Sequence, residues 1–464
     1  MKVKLILPAL IEATSPGWRP IKYSLFPPLG LATLAAFLDV DDEVEIVDEH
    51  VEPLILGDSP HMVLISVYIT NARRAYQIAD HYRQRGIFVA LGGLHVTSLP
   101  HEAARHGDTI FLGPAEQSFP TFLRDFKNGH VQEKYTAKTR TLCNLPPPRR
   151  DLIDRSLYLV PNSIVVSRGC PHSCNFCYKH SFFAGGRQFY VQPVDEALEE
   201  IERLEGRHLY FLDDHLLGNP RFARSLFDGM IGMNRVFQGA ATVGSILKGD
   251  LIERAAEAGL RSIFIGFETL DSQNLSQSNK AHNLGPNYDR AIERLHDLGV
   301  LINGSFVFGL DNDGPDVFAR TVEWAVSRGI TTATFHVLTP YPNTSLHHEL
   351  ANSGRILHSN WDLYDTRHVV YQPLKMSPIE LRQGYDWAYK SFYSWKNITR
   401  GAAAHHHRAN AIRHLAYAGA WKKLEPMWDW VIRQRTLRQM RPMLESLLSL
   451  QPNRQLLPTR QKAA

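Results

Sequence analysis

Cysteine is scarce in this chain, and long apolar runs are missing from it. Four cysteines in 464 residues are too few for a disulfide framework, so we expect a reducing, cytoplasmic compartment. No apolar run approaches the roughly 18–20 residues that a membrane helix needs. Pro8 interrupts the N-terminal stretch MKVKLILPAL, which predicts a first strand rather than a signal peptide. An aromatic-interleaved basic motif is also missing, so nucleic acid is not an expected partner.

Basic charge is concentrated towards the C-terminus. The formal net charge is only +4, but residues 396–464 contain 13 Lys or Arg against three acids. This pattern is most often a solvated helical surface. The alternative is a patch for anionic lipid headgroups, a phosphorylated substrate or a partner protein. Peripheral membrane contact through this region therefore remains open.

Two series of alternating strands and helices divide the chain. The first, over about 130 residues, is typical of a doubly wound parallel sheet. The second has six strand segments, SIVVS, HLYFLDD, GAATVGS, SIFIGFE, INGSFVFG and TATFHVL; they are too few for an eightfold barrel but fit a partial (β/α)6 barrel. The prolines of TLCNLPPPRR indicate an extended linker between the two. We expect a Rossmann-like domain at 1–135, a linker at 136–160, a (β/α)6 domain at 161–350 and a mainly helical cap at 351–464.

Three of the four cysteines lie together in SRGCPHSCNFCYK. A structural zinc site normally takes two ligand pairs, a disulfide would leave one thiol over, and a redox pair would leave Cys170 unexplained. An iron–sulfur cluster held by Cys170, Cys174 and Cys177 explains the count and leaves one iron open to another ligand. The loop follows the first strand of the second series, at the rim where barrel enzymes place their chemistry. Cys143, in the linker, is not an expected ligand.

The spacing CxxxCxxC, with Phe176 before the last cysteine and Tyr178 after it, resembles the signature of the radical S-adenosylmethionine (SAM) enzymes. The resemblance implies a [4Fe–4S] cluster on the three cysteines, whose open iron chelates SAM. One electron, from an external donor of flavodoxin or ferredoxin type, would cleave SAM to methionine and a 5′-deoxyadenosyl radical. A structural metal-cluster protein without enzymatic activity is the alternative.

The same resemblance implies SAM-binding residues in the cysteine loop and at the ends of later strands. The expected set is Phe176, Tyr178, Asp213, Asp214, Ser245, Glu268 and Phe308. Asp213 and Asp214 would hold the amino group, although two acids replace the commoner Gly-Gly-Glu and helix capping is the alternative. Glu268 would reach the ribose hydroxyls, and we expect a polar partner for it because a buried, uncompensated carboxylate is costly.

The first domain resembles the cobalamin-binding domain that precedes the barrel in a large radical SAM subgroup. The resemblance rests on PPLG (27–30), ALGGLHVTSLP (90–100) and FLGPAEQSFP (111–120). The cobalamin contacts it implies are Gly92, Gly93, Thr97, Gly113 and Glu116. The usual Gly-Glu-Gly-Glu reads Gly113-Pro-Ala-Glu116, so a sheet that has lost its cofactor is the alternative. His50 is not expected to bind cobalt, because its motif follows the second strand and ends in Pro53.

The tail segments WDLYDTRHVVYQPLKMSP and WAYKSFYSWKNI resemble the C-terminal extension of cobalamin-type radical SAM proteins, including enzymes that methylate hopanoid lipids. The expected reaction is therefore methyl transfer from methylcobalamin to an unactivated carbon of a small-molecule or lipid substrate. The alternative is non-methylating radical chemistry, such as a cyclisation, a rearrangement or transfer of another SAM fragment, with a degenerate cobalamin-like domain.

Overall fold

The N-terminal domain is built on a six-stranded parallel sheet. The computed structural model describes residues 1–10, 25–280 and 288–423, with scattered residues between 427 and 446. The strand order in this sheet is β2-β1-β3-β4-β5-β6. The strands are β1 (Lys2–Leu7), β2 (Glu43–Asp48), β3 (Met62–Ser66), β4 (Phe88–Gly92), β5 (Thr109–Leu112) and β6 (Lys134–Thr136). Its central strands are buried on both faces, which is why they read as continuous apolar runs.

Helices cover both faces of this sheet, as in a doubly wound fold. They are α1 (Leu29–Ala35), α2 (Ala72–Gln84), α3 (Leu94–Ser98), α4 (Pro100–Ala103) and α5 (Phe119–Lys127). The longest, α2, buries a stripe of side chains at helical spacing that includes Ala75, Ile78 and Tyr82. The expected doubly wound fold is confirmed, with β6 as a strand that the sequence pattern did not predict.

The second sheet is a partial barrel of six parallel strands. Its order is β14-β13-β12-β11-β10-β7. The strands are β7 (Ser163–Ile164), β10 (His208–Phe211), β11 (Val236–Ala241), β12 (Leu260–Glu268), β13 (Leu301–Phe308) and β14 (Thr332–Val337). The helices around it are α6 (Lys179–Phe182), α7 (Val194–Arg203), α8 (Pro220–Met230), α9 (Val243–Ile246), α10 (Leu251–Ala258), α11 (Ser272–Gln277), α12 (Tyr288–Asp297) and α13 (Val317–Ser327). The predicted (β/α)6 architecture is confirmed.

Two predicted strands end earlier than their apolar patterns suggested. SIVVS was expected to form one strand, but β7 ends at Ile164 and the chain continues into β8 (Ser167–Gly169), which pairs antiparallel with β9 (Phe189–Val191). GAATVGS was expected to continue to Ser245, but β11 ends at Ala241, and the Thr242 side chain accepts a hydrogen bond from the Ser245 backbone N–H to cap α9. Ser245 therefore lies in a helical turn.

The C-terminal part of the described chain returns to both domains. Its helices are α14 (Ser345–Asn352), α15 (Pro378–Phe392), α16 (Trp395–Ala403) and α17 (Arg408–Ala416), followed by a π-helical turn at Tyr417–Lys423. Between α14 and α15 runs a segment that we name the strap, residues 357–371. Trp361 Nε1 of the strap donates to Glu102 Oε2 of the first domain at 3.2 Å, and Val337 N of β14 donates to Thr366 O at 2.7 Å. The strap thus bridges the two domains.

The structure describes only part of the predicted helical cap and of its basic surface. Most of the positions from 424 to 464, which carry much of the basic charge, lie outside the described residues. Among the helices of the described part, none is both long enough and apolar enough to cross a membrane.

Candidate active site

Strands β8 and β9 lie on either side of the cysteine loop in the chain and pair antiparallel, and we call this pair the hairpin. Gly169 precedes the first cysteine with a φ of +79°, and a Cβ on it would lie 1.9 Å from the carbonyl oxygen of Gln188. Only glycine fits this position, because both the left-handed conformation and the close approach exclude a side chain. The hairpin therefore fixes where the loop begins.

The three thiols of the loop suit an iron–sulfur cluster. Cys170, Cys174 and Cys177 are free and partly buried, and Cys177 N donates to Cys174 O at 3.1 Å within one tight turn. Burial raises the pKa of Cys174 to about 11, and the nearby Lys280 opposes that shift. Three soft sulfur donors at one loop match the ligand preference of such clusters, and iron would replace the thiol protons.

The aromatic neighbours of the cysteines have different environments. Phe176 packs against the hydrophobic core of the barrel. Tyr178 faces the ring of Tyr341 at a centroid distance of 6.1 Å, in an edge-on arrangement. Of the two, only Tyr178 is therefore placed among other groups at the barrel mouth, whereas Phe176 holds the loop against the barrel.

The two aspartates after β10 have separate partners. Asp213 is almost fully buried and accepts hydrogen bonds from Ser167 Oγ and from Val166 N, the latter at 3.3 Å. Burial raises the pKa of Asp213 to about 7. Asp214 is more open and pairs with Lys179 Nζ at 2.6 Å. Asp213 thus ties β10 to the start of β8, and Asp214 is the more accessible of the two carboxylates.

Asp214→Asn is expected to weaken SAM binding by about one to two decades while the cluster is retained. A charge-assisted hydrogen bond to an ammonium is worth roughly 1.5–3 kcal/mol, which the neutral amide forfeits. Equilibrium binding of SAM to reconstituted protein measures the change. Asp213→Asn is the matched control: it should lower the unfolding temperature more than the SAM affinity. Unchanged SAM affinity in Asp214→Asn would remove Asp214 from the site.

Residues after β10 and β11 meet the cysteine loop. The rings of His172, in the loop, and His215, after β10, stack with centroids 5.6 Å apart. His215 Nε2 lies 3.4 Å from Thr242 Oγ1, and Ser245 Oγ donates to Thr242 O at 2.7 Å. Ser245 is thus at the barrel mouth, but its hydroxyl is committed to the cap of α9. The stacked histidines were not predicted.

Glu268 is aimed by a break in the strand register. The pairing of β12 with β13 shifts between Gly266 and Glu268, and Glu268 has a φ of +64°. Its carboxylate forms an ion pair with Lys280, and both side chains are largely buried. A Cβ on Gly266 would lie 2.4 Å from Glu268 Oε1. Bulges of this kind re-aim side chains beside active sites, and the expected polar partner of Glu268 is Lys280.

Phe308 contributes its backbone rather than its ring to the barrel mouth. The ring is buried and stacks on Phe335 with centroids 5.4 Å apart, among the helices outside the barrel. The expected contact of Phe308 with SAM would therefore involve its main-chain atoms only.

The glycine turns of the first domain are joined to one another. Gly93 has a φ of +110°, and its Cβ would lie 2.8 Å from Val67 O. Thr97 Oγ1 donates to Gly93 O at 2.9 Å and accepts from Gly113 N at 2.9 Å. A Cβ on Gly92 would only touch that of Phe111 at 3.4 Å. These residues meet at the carboxyl ends of β4 and β5, where ligands of such sheets lie.

Two arginines, not singled out from the sequence, join this edge of the sheet to the cysteine loop. Glu116, predicted to contact cobalamin, is buried and accepts from Arg168 Nη2 of β8 at 2.8 Å. Arg140 of the linker is also buried and donates to the carbonyl oxygens of Ala184, at 2.9 Å, and Phe183. No short-range pattern signals either contact. Together they hold the first sheet against the loop.

His50 has partners for both ring nitrogens. Its Nδ1 lies 2.8 Å from Asp48 Oδ1, and its Nε2 accepts from Leu10 N at 3.4 Å. Asp48 in turn accepts from Tyr158 OH at 3.0 Å. His50 therefore belongs to a buried hydrogen-bond network that also includes Tyr158.

Family models match both halves of this arrangement. Residues 164–325 match the radical SAM superfamily, and residues 23–123 match the B12 binding domain. The chain is therefore a radical SAM enzyme. More particularly, it belongs to the subgroup whose B12-binding domain precedes the radical SAM domain, and its cofactors are a [4Fe–4S] cluster, SAM and cobalamin.

Similar proteins support this assignment. The bacteriochlorophyllide d C-8(2)-methyltransferase of Chlorobaculum tepidum is 28% identical over 80% of this chain and 86% of its own length. The hopanoid C-2 methylase of Rhodopseudomonas palustris is 26% identical over 73% of this chain and 66% of its own.

Solved structures show the same fold. TsrM from Kitasatospora setae, a radical SAM methyltransferase solved with tryptophan and a SAM analogue, superposes with a TM-score of 0.64 at 17% identity, over 96% of this chain and 99% of its own. OxsB, solved with aqua-cobalamin and SAM, superposes with a TM-score of 0.67 at 13% identity, over 97% and 76%.

Proposed function

We propose that this enzyme transfers a methyl group from methylcobalamin to an unactivated carbon of a small molecule. The observation that carries the proposal is the contact between the domains: Glu116 of the first domain pairs with Arg168, two residues before Cys170. Helix α3, which contains Thr97, also packs against α6 directly after the cysteine loop. A cobalamin at this edge of the sheet would therefore face the SAM site.

The cofactors supply the redox and methyl-donor chemistry when bound, and the chain holds and encloses them. Cys170, Cys174 and Cys177 would hold the cluster. Asp214, Glu268 and the backbone beside Phe308 would position SAM, as expected for members of the superfamily. Lys280 neutralises Glu268 and keeps its carboxylate in place.

Tyrosines from both domains surround the space between the cofactors. Half of the Tyr68 surface is exposed, yet burial raises the pKa of its phenol. Tyr68 also raises the pKa of Tyr178, so these two tyrosines, one from each domain, lie near each other. Burial also raises the pKa of Tyr341, and the neighbouring Tyr178 adds to the shift. These tyrosine side chains would help to keep water away from a radical intermediate.

A tetrapyrrole is the substrate class that we propose. The bacteriochlorophyllide methyltransferase from Chlorobaculum matches this chain over more of both lengths than the hopanoid C-2 methylase does. A second Chlorobaculum enzyme, the bacteriochlorophyllide d C-12(1)-methyltransferase, is equally similar, at 28% identity over 80% of this chain. Hopanoid lipids are the competing class.

The remaining partners follow from the chemistry. The cluster requires an electron donor of flavodoxin or ferredoxin type, and the free thiols of the unloaded protein fit a reducing compartment such as the cytoplasm. The basic C-terminal region, if it contacts an anionic membrane, would bring the enzyme close to apolar substrates.

Anaerobic turnover tests the proposed reaction. Protein loaded with iron, sulfide and cobalamin is incubated with reductant, SAM carrying a labelled methyl group, and bacteriochlorophyllide d. We expect 5′-deoxyadenosine, S-adenosylhomocysteine and a labelled pigment, with about four irons and one cobalt per chain. Formation of 5′-deoxyadenosine without methyl transfer to any substrate, in protein that never retains cobalt, would favour non-methylating radical chemistry instead.

A further inference from the structure

His336 faces the inside of the barrel near the carboxyl end of β14. Its neighbours Phe335 and Val337 are buried on the opposite side of the strand, where Phe335 meets Tyr389 of α15 with centroids 5.2 Å apart. His336 itself is only partly buried and is paired in register with Val307. Because side chains alternate along a strand, the imidazole lies on the lumen side.

The strap holds this imidazole by one nitrogen. Nδ1 of His336 lies 3.1 Å from Thr366 Oγ1, and Thr366 O accepts from the backbone N–H of the next residue, Val337. Thr366 has a φ of +65°. A β-branched residue in the left-handed region is strained, and such strain persists where the surroundings enforce it, often at functional sites.

The imidazole of His336 lies near Glu268, one of the residues expected to bind SAM. Burial lowers the pKa of His336, and the Glu268 carboxylate opposes that shift. In the strand register Glu268 is level with Phe306, and Phe306 is level with Phe335, the residue before His336. Glu268 therefore lies about two strand spacings, roughly 10 Å, from His336, and a group bound at His336 would be near the reacting centre.

Near the carboxyl ends of β12, β13 and β14, His336 supplies the one ring nitrogen on the lumen side. The paired positions around it on that side are Gly266, Ser305, Val307 and Thr334. None of these has a ring nitrogen, a thiol or a carboxylate, and the carboxylate at the end of β12, that of Glu268, is paired with Lys280. Within the described part of the chain, the ring of His336 forms its hydrogen bond through Nδ1 and none through Nε2.

We propose that Nε2 of His336 is an axial ligand to the central metal ion of a metallated tetrapyrrole substrate. The inference rests on the proposed function and specifies its substrate class. A proton on Nδ1, donated to Thr366 Oγ1, leaves the Nε2 lone pair for the metal. Metal-ligating histidines are normally held in this way through their second nitrogen, and neutral imidazole is a common ligand.

Pigment binding tests the proposal without turnover. Cofactor-loaded protein is titrated with zinc pheophorbide a and with metal-free pheophorbide a, and absorbance reports both affinity and axial ligation. We expect wild type to prefer the zinc pigment by about tenfold or more, with the band shift of a five-coordinate metal. His336→Ala should abolish both the preference and the shift. Thr366→Val, which removes only the hydroxyl, should weaken zinc-pigment binding by about 10–100-fold.

His348→Ala is the matched control, because this histidine is exposed on α14, and it should behave as wild type. Equal affinity of wild type for both pigments, or a zinc preference that survives in His336→Ala, would overturn the assignment. If neither pigment binds while cobalt retention and 5′-deoxyadenosine formation are normal, the tetrapyrrole inference fails and the radical methyltransferase proposal stands. Loss of SAM cleavage in wild type would instead contradict the proposed function.

Discussion

Replacing any one of Cys170, Cys174 and Cys177 by Ala is expected to remove the iron and SAM cleavage together. Each thiolate would hold one iron of the cluster, and the turn between Cys174 and Cys177 contains no spare thiol. Iron should fall from about four per chain to near zero, and 5′-deoxyadenosine should become undetectable. Iron and sulfide analysis, the charge-transfer absorbance of the cluster and chromatography of the SAM products measure these losses.

Cys143→Ala is the control for these variants. Its thiol is exposed and lies 3.7 Å from Glu196 Oε1, in the linker rather than in the loop. Iron content and SAM cleavage should stay at the wild-type level. If Cys143→Ala lost iron, or if a loop variant kept a full cluster, the three-cysteine assignment would be wrong.

Gly169→Ala is expected to abolish cluster loading although it adds a single carbon. The new Cβ would lie 1.9 Å from the Gln188 carbonyl oxygen, so the β8–β9 pair has to open. The left-handed backbone conformation costs roughly a further 1–2 kcal/mol. The first cysteine follows directly, and its displacement should lower iron content at least about tenfold. Iron analysis together with thermal unfolding separates cluster loss from global unfolding.

Gly185→Ala is a close match for this variant. Gly185 lies in the turn beyond α6 and has a φ of +73°, but nothing stands within 4 Å of its Cβ position. It should lose about the same 1–2 kcal/mol from backbone strain and still load a full cluster. Equal cluster loss in both variants would show that strain, and not the contact with Gln188, determines the effect.

The sequence contained enough information for the fold and for the type of cluster. Apolar strand segments separated by amphipathic helices are local patterns, and the doubly wound sheet and the six barrel strands follow from them. The cysteine spacing is equally local. Ser245 was misplaced because Ala241 and Thr242 read as a continuing strand, whereas the Thr242 hydroxyl caps a helix there.

The contacts that organise the site were not predictable in the same way. Arg168 with Glu116 and Lys280 with Glu268 bring together residues 52 and 12 positions apart. A charged residue in a sequence gives no indication of which distant charge it meets. The left-handed conformation of Glu268 and that of Thr366 are likewise imposed by tertiary packing. The contact between Lys179 and Asp214 is an exception. Lys179 directly follows the cysteine motif, and this position could have suggested a role beside Asp214.

The strap gives the molecule a second connection between its domains, a noncovalent one. The linker connects the domains through the chain itself. The strap connects them again, because its Trp361 donates to Glu102 of the first domain and its Thr366 accepts from Val337 of the barrel. Once one tether is fastened, closing the other is an intramolecular event at high effective concentration. Separation of the two domains therefore also requires that the hydrogen bonds of the strap break. Because the strap lies after both the sheet and the barrel in the chain, its contacts can form only once both of these have been synthesised.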